Sequence, residues 1–534
     1  MTNSQRFTPR CPGAGDLPAP TFGWIMRSVD MGLSASEYHR QTSYRRDSMG
    51  GHAADWQNEP DVFKNYPTLE NIPLGDVTEW PSENLSDLLS EDRSPDPNVE
   101  FDIEQLARVI FLTHALTAKA KYGGAEYYFR SVASAGALYP FELYVGALTV
   151  GGLEPGLYHQ NVGAQALVRL KSGSILHELS KGLKIEEPPP VLAFFLTAMF
   201  FRSAWKYRDR AYRYNLLDTG HMAENLLLAL KAVRAPFKFS YDFDDDQLNE
   251  FLGLDKSREV CLACVLVWGK NSRQIGLVPP ATELMAGLKQ AGKCATIETD
   301  FPKIREIHSS SSKLPEKVGD APQMLNNLGL EQQPGRKIAP PVETPHVMNY
   351  AAAVFSRRSS RNFVRAELAS DRFTTLLKML CFKEMSLWDR EGTWSNAIDV
   401  GFLAGNVEGV EPGFYLLDRS RESICLVTSG NFMEKMARVC LDQVWLRNCA
   451  VHFMFLSNFK LLEQAWGARG YRYAMLTAGS LGQRLYVGAT SMKLGCCGVG
   501  AFYDDEAVEL LGLDDQSRLL YVVAVGPIKK WSTM

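Results

Sequence analysis

The chain repeats itself, and nothing else in it constrains the fold as much. GGLEPGLYHQ at 151–160 returns as EGVEPGFYLLD at 408–418, which sets Gly156 against Gly413 at an offset of 257. RAYRYNLLDTG at 210–220 returns as RGYRYAMLTAG at 469–479, and LGLD at 252–255 returns as LGLD at 511–514, both at an offset of 259. Three short strings in the same order, at nearly constant spacing in 534 residues, identify a duplicated unit.

Each copy reads alike. ELYVGALTV and LYHQ flank the GLEPG turn and predict a hairpin. VLAFFLTAMFF (191–201) and AVHFMFLSNF (450–459) are continuous apolar runs that suit strands buried on both faces. After each YRY, residues 216–232 and 475–491 run without Pro and are apolar around most of a helical circumference, which predicts two central buried helices. A short helix carrying LGLD and an apolar strand close each copy. The expected class is α+β: an antiparallel sheet flanked by helices, with a long central helix, twice over. Expected boundaries are an irregular N-terminal arm packed on the core (1–100), a first domain (101–270), a Pro-, Ser- and charge-rich linker or wrapping segment (271–345) and a second domain (346–534).

Composition removes other classes. With 57 Lys+Arg against 61 Asp+Glu the net charge is −4, which argues against a nucleic-acid partner. No apolar run reaches the roughly 18 to 20 residues of a membrane-spanning helix. The N-terminus shows no apolar signal region, and ten scattered Cys suit a reducing compartment, so a cytoplasmic location is expected. Cys261 and Cys264 form a CxxC inside the apolar run VCLACVLVW, which reads as a core strand rather than a redox or zinc site. The spacing of the nine His predicts no metal site, and no GxxxxGK[ST] or strand-linked GxGxxG is present.

Two strings carry candidate chemistry. In RSVASAGALYPFELYV (130–145), Ser134, Ala135, Gly136 and Ala137 are small enough to let backbone approach a planar ring, and Tyr139-Pro140 ends the run before a strand. In RRSSRNF (357–363), Arg357, Ser359 and Arg361 at i, i+2 and i+4 of an extended segment would point one way, offering forked cations and a hydroxyl to a phosphate. A solvated basic strip is the alternative reading.

Together these strings resemble the FMN-dependent nitroreductase superfamily and, within it, the SagB/ThcOx-type dehydrogenases. YHRQTSYRR (38–46), HAADWQNEPDVFKNYP (52–67), RSAWKYRDRAYRY (202–214) and LDTGHMAENL (217–226) carry the resemblance further in the first copy; GVEPGFY and GARGYRY do so in the second. The resemblance implies FMN at a dimer interface, with the RRSxR-type segment of one subunit on the phosphate and the SAGA-type segment of the other along the ring. The first copy keeps the SAGA segment but has EDRSPDP where RRSSRNF would lie; the second keeps RRSSRNF but has WSNAIDVGFLAG in place of the SAGA segment. The expectation is an intrachain pseudodimer with one composite FMN site, built from Arg130, Ser134 to Ala137 and Tyr139 with Arg357, Ser359 and Arg361.

The same resemblance places Gly498 and Gly500 of GCCGVGAFYDD (495–505) at the flavin edge, where the first copy reads PFKFSYDFDDD (236–246). A purely local turn is the alternative. It also makes Lys206 and Tyr207 the candidate catalytic pair for proton handling, against a charged helix entrance as the plain reading. His221 is expected to cap or pack at a helix start, and Cys496 or Cys497 as nucleophile is the weaker reading because no base is placed nearby. The implied activity is oxidation of peptide thiazolines or oxazolines to azoles. Alternatives are an NAD(P)H-dependent nitro or quinone reductase and a degenerate, non-catalytic scaffold in a biosynthetic complex.

Overall fold

The computed structural model describes residues 32–49, 51, 54–90, 93–122, 125–185, 187–273, 281–282, 288–315, 327–341, 345–382 and 394–529. The N-terminal signal reading falls on 1–31, outside the described residues. Nine strands come from the first half: β1 (Asn71–Pro73), β2 (Leu116–Tyr122), β3 (Ala125–Arg130), β4 (Phe141–Ala147), β5 (Gly156–Asn161), β6 (Ala166–Ser172), β7 (Leu192–Met199), β8 (Phe237–Ser240) and β9 (Glu259–Val267). Seven come from the second: β10 (Arg336–Lys337), β11 (Asp399–Ala404), β12 (Gly413–Asp418), β13 (Ser423–Ser429), β14 (Val451–Asn458), β15 (Gly495–Val499) and β16 (Ser517–Gly526).

Two seven-stranded sheets result, in the orders β1-β6-β5-β4-β7-β9-β8 and β10-β13-β12-β11-β14-β16-β15. Position for position they are the same topology, and every ladder in both is antiparallel. The GLEPG hairpin joins β4 to β5, and the run with the CxxC is β9, with both thiols in the core. β2 and β3 form a separate two-stranded ribbon.

The two long helices cross at the centre. They run Ala211–Ala232 and Arg469–Ser491, starting earlier than the apolar pattern alone predicts, because the YRY strings lie inside them. Arg213 and Arg472 enter the interior paired: Arg213 and Arg210 hold Asp504 at 2.6 and 2.7 Å, and Arg472 and Arg469 hold Asp245 at 2.6 and 2.9 Å. Each pair joins one half to the other. At the crossing, a β-carbon on Gly220 would overlap the Leu476 carbonyl, and one on Gly479 would overlap the Leu217 carbonyl. The contact is reciprocal at the repeat offset, as an isologous two-fold interface requires. LGLD lies at the end of its short helix rather than within it: Gly253 and Gly512 take left-handed φ values of 70° and 65° just after Asp245–Phe251 and at the cap of Asp504–Leu511.

The repeat reaches further than its three anchors. Helix Ala35–Gln41 of the arm places His39 at 3.2 Å from Asp504, and Thr42 accepts from Arg213 Nε at 3.1 Å. Helix Pro302–Ser312 repeats this: His308 lies 3.8 Å from Asp245, and Ser311 accepts from Arg472 Nε at 2.8 Å. Tyr471 meets His39 Nδ1 and Tyr212 meets His308 Nδ1, each at 3.2 Å. Strands β1 and β10 likewise take the same edge of their sheets. Within 271–345, helix Pro302–Ser312 and strand β10 thus repeat the contacts that helix Ala35–Gln41 and strand β1 make in the first half.

Candidate functional site

A cavity of about 530 Å³ opens where the halves meet. Ser134 to Ala137, Tyr139, Lys206 and Asp218 line it from the first half; Arg357, Ser359, Arg361, Gly498 and Gly500 line it from the second.

The SAGA turn between β3 and β4 bends through positive φ at Gly136, Ala137 and Tyr139 (67°, 55° and 47°), a shape that costs energy at the two residues with side chains. Asp218 of the first long helix holds it there. Its carboxylate accepts from Ser134 Oγ at 2.6 Å and from Ala135 N at 3.2 Å, while Ser134 Oγ accepts from Tyr139 N at 2.9 Å. Burial pushes the Asp218 carboxyl up to about 7 despite these donors. Asp218 was not singled out from sequence; its signal was LDTG in one copy against LTAG in the other.

Lys206 and Tyr207 end the helix Phe200–Tyr207. A β-carbon on Gly136 would lie 2.8 Å from Tyr207 Oη and 3.2 Å from Lys206 Nζ, so the pair sits against the turn and only glycine leaves them room. Burial, aided by Arg361, lowers the Lys206 ammonium from its ordinary range. Burial, aided by Asp218, raises the Tyr207 phenol well above its ordinary range. Arg130 does not line the cavity. It is buried behind the wall, with Nη1 2.7 Å from His114 and its guanidinium over the Tyr139 ring at 4.6 Å.

From the second half, Arg357 follows the helix Tyr350–Ser356 and is buried. Nε and Nη2 donate to the carbonyls of Ser131 and Arg130 at 2.8 and 2.9 Å, tying the RRSSR segment to the base of the SAGA segment. Its Nη1 is buried with no hydrogen-bond partner. Ser359 Oγ and Tyr486 Oη lie 2.9 Å apart, and Gly498 N donates to Tyr486 Oη at 2.7 Å. A β-carbon on Gly498 would overlap the Tyr521 hydroxyl, and one on Gly500 would meet the Tyr214 ring at 2.6 Å. Cys496 and Cys497 are buried, and burial raises both thiols, which suits inert core residues better than a nucleophile.

His221 is not at a helix start; it lies in mid-helix and bridges Gln483 Oε1 at 2.9 Å and Tyr521 Oη at 3.0 Å. The pseudo-equivalent site differs in kind. One repeat offset back from Gly498 and Gly500 stand Phe239 and Tyr241, whose rings pack edge to face at 4.5 Å, and Tyr241 stacks on Tyr473, the counterpart of Tyr214. Aromatic rings fill the space that glycines leave open in the first site.

Fold and site together define an α+β protein whose candidate cavity lies at the junction of two like units in one chain. The nitroreductase family model matches residues 102–270 and 354–527, and the chain belongs to the nitroreductase family. It is 29% identical over 244 residues to the trifolitoxin-processing protein TfxB of Rhizobium leguminosarum bv. trifolii (44% of this chain, 65% of that one). It is 28% identical over 134 residues to the microcin B17-processing protein McbC of Escherichia coli (24% and 49%). The chain spans about half to just under two thirds of the length of the curated relatives it matches. A crystal structure from Anabaena variabilis ATCC 29413, assigned as a nitroreductase, superposes with a TM-score of 0.74 at 25% identity over 93% of this chain and 100% of that one. Among the described residues no helix is long and apolar enough to cross a membrane.

Proposed function

We propose that the chain is an FMN-dependent oxidoreductase of the SagB/ThcOx type that binds one flavin and oxidises thiazolines or oxazolines in a peptide to azoles. The observation that carries the flavin is the buried, unpartnered Nη1 of Arg357 beside Ser359 and Arg361, across the cavity's lining from a turn of small residues. A buried guanidinium nitrogen without an acceptor fits an anionic group, and the small turn fits a flat ring. FMN, when bound, supplies a two-electron acceptor for hydride. Arg357 and Ser359 would hold its phosphate side, and Asp218 keeps the SAGA turn in the shape that would face the ring. Lys206 Nζ, with its ammonium destabilised by burial and by Arg361, would accept the Cα proton of the azoline ring. Tyr207, whose phenol stays protonated, donates a hydrogen bond to the developing charge. The peptide substrate is supported by the names of TfxB and McbC as processing proteins.

The test is direct. The purified chain should be yellow, or take up added FMN, at one FMN per chain, and convert an azoline peptide to the azole. Lys206→Ala should keep FMN and lose at least about 100-fold in turnover. A chain that binds no FMN overturns the reading. Flavin that turns over nitroaromatics with NADPH but no azoline peptide transfers the assignment to a nitro or quinone reductase.

A further inference from the structure

One hydrogen-bonded chain in the cavity wall has no part in that chemistry, and its polarity can be worked out from one end. Thr113 O is a carbonyl and can only accept, so the Asn225 nitrogen 3.1 Å away donates. Asn225 Oδ1 then accepts from Gln483 Nε2 at 2.9 Å, and the same nitrogen faces a second carbonyl, Ser131 O, at 3.4 Å. Gln483 Oε1 therefore accepts, and His221 Nδ1 donates to it at 2.9 Å. Burial, with Arg357 nearby, holds the His221 imidazole down at about 4, so the ring is neutral and has only that one N–H. Its Nε2 must accept, and the Tyr521 hydroxyl 3.0 Å away spends its proton there. What remains on Tyr521 Oη is lone pairs. Tyr521 lines the cavity, with that oxygen beside Gly498.

The fold does not need this chain. At the repeat offset, Leu262 stands for Tyr521, Ser480 for His221 and Glu224 for Gln483. There Glu224 instead pairs with Arg484 at 2.6 Å and accepts from Ser480 at 2.6 Å. Both arrangements bury polar groups between the long helices, but only the half-site with an open cavity carries the tyrosine and the histidine.

We propose that Tyr521 is a hydrogen-bond acceptor in the cavity wall, selecting a ligand that presents an N–H at this point, and that His221 is the positioning residue that fixes its polarity. The proposal rests on the flavin reading, since an isoalloxazine carries a ring N–H when oxidised and more when reduced. It adds a specificity-determining contact from the second half of the chain that is separate from the Lys206–Tyr207 pair.

The experiment titrates the full-length apoprotein with FMN and measures the midpoint potential of the bound flavin, in the wild type, Tyr521→Phe and His221→Phe. Losing one such hydrogen bond corresponds to about 3- to 10-fold in affinity. Tyr521→Phe should weaken oxidised FMN by that factor, or leave it unchanged and lower the midpoint potential through the same loss on the reduced form. His221→Phe keeps the phenol but releases its proton to donate into the cavity, so it should move the same readouts in the same direction, and it carries the test if Tyr521→Phe does not fold. A folded Tyr521→Phe that matches the wild type in both affinity and potential overturns the proposal. A wild type that takes up no FMN is a different result, and it overturns the flavin reading along with this one.

Discussion

Asp218 shows how much one residue can decide. It is a buried carboxylate with three donor contacts and, among the described residues, no ion pair, and burial outweighs those contacts enough to bring its titration to about neutral pH. Its folded-state value lies above the ordinary 3.8, so holding it ionised costs stability. The cost is absent below about 4, grows with pH and is complete above about 7. Asp218→Asn removes the charge and keeps one acceptor oxygen. Its thermal midpoint relative to the wild type should rise as pH increases from about 5 to about 8; a difference that does not change with pH would refute this. Arg357, the SAGA turn and Lys206 were legible in the sequence because each sits in a compact string. Asp218, Tyr486 and Tyr521 were not, because their partners lie in other segments, for Tyr521 in the other half of the chain, and no local spacing encodes such a contact. Arg130 shows the converse: it adjoins the turn in sequence, yet its side chain lies behind the cavity wall beside His114.

At the scale of elements, the central strands and long helices were legible from apolar runs, because strands such as β4, β7, β9 and β14 are buried along their whole length. The helix starts were not, since RAYRY and RGYRY look too charged for a helix interior until Asp504 and Asp245 are seen to neutralise them. Nor was the helix Pro302–Ser312, where buried Ile304, Ile307 and His308 are diluted by a run of serines. The crossing of the long helices makes a sharp prediction. Gly220→Ala and Gly479→Ala each drive a methyl into a carbonyl of the facing helix, so the helices must part. Each should cost at least the upper part of the 1–3 kcal/mol range, about 3 kcal/mol, in urea unfolding. Near-equal losses are expected because the contacts are reciprocal.

The whole molecule behaves as two subunits that share one chain. Its two arginine-aspartate clamps are the same device twice, although only the one on Asp504 adjoins the Gly500 side of the cavity, through Arg210 to the Gly500 carbonyl at 3.0 Å. Asp504→Asn and Asp245→Asn each strand two buried guanidinium groups and should lose about 3–5 kcal/mol. FMN affinity should fall further for Asp504→Asn, as read by titration of the folded fraction. Duplication was legible at once from the anchors; that the arms repeat as well was not, because HRQT and HSSS share too little to align without the aspartates they face. Phe239 and Tyr241 carry a last consequence. In a dimer of identical chains every substitution strikes both sites together, so a change that improves one cannot be traded against the other. Here the ring-filled site can accumulate changes that serve stability alone, and the open site changes that serve chemistry alone, which makes this chain a scaffold in which the two can be selected independently.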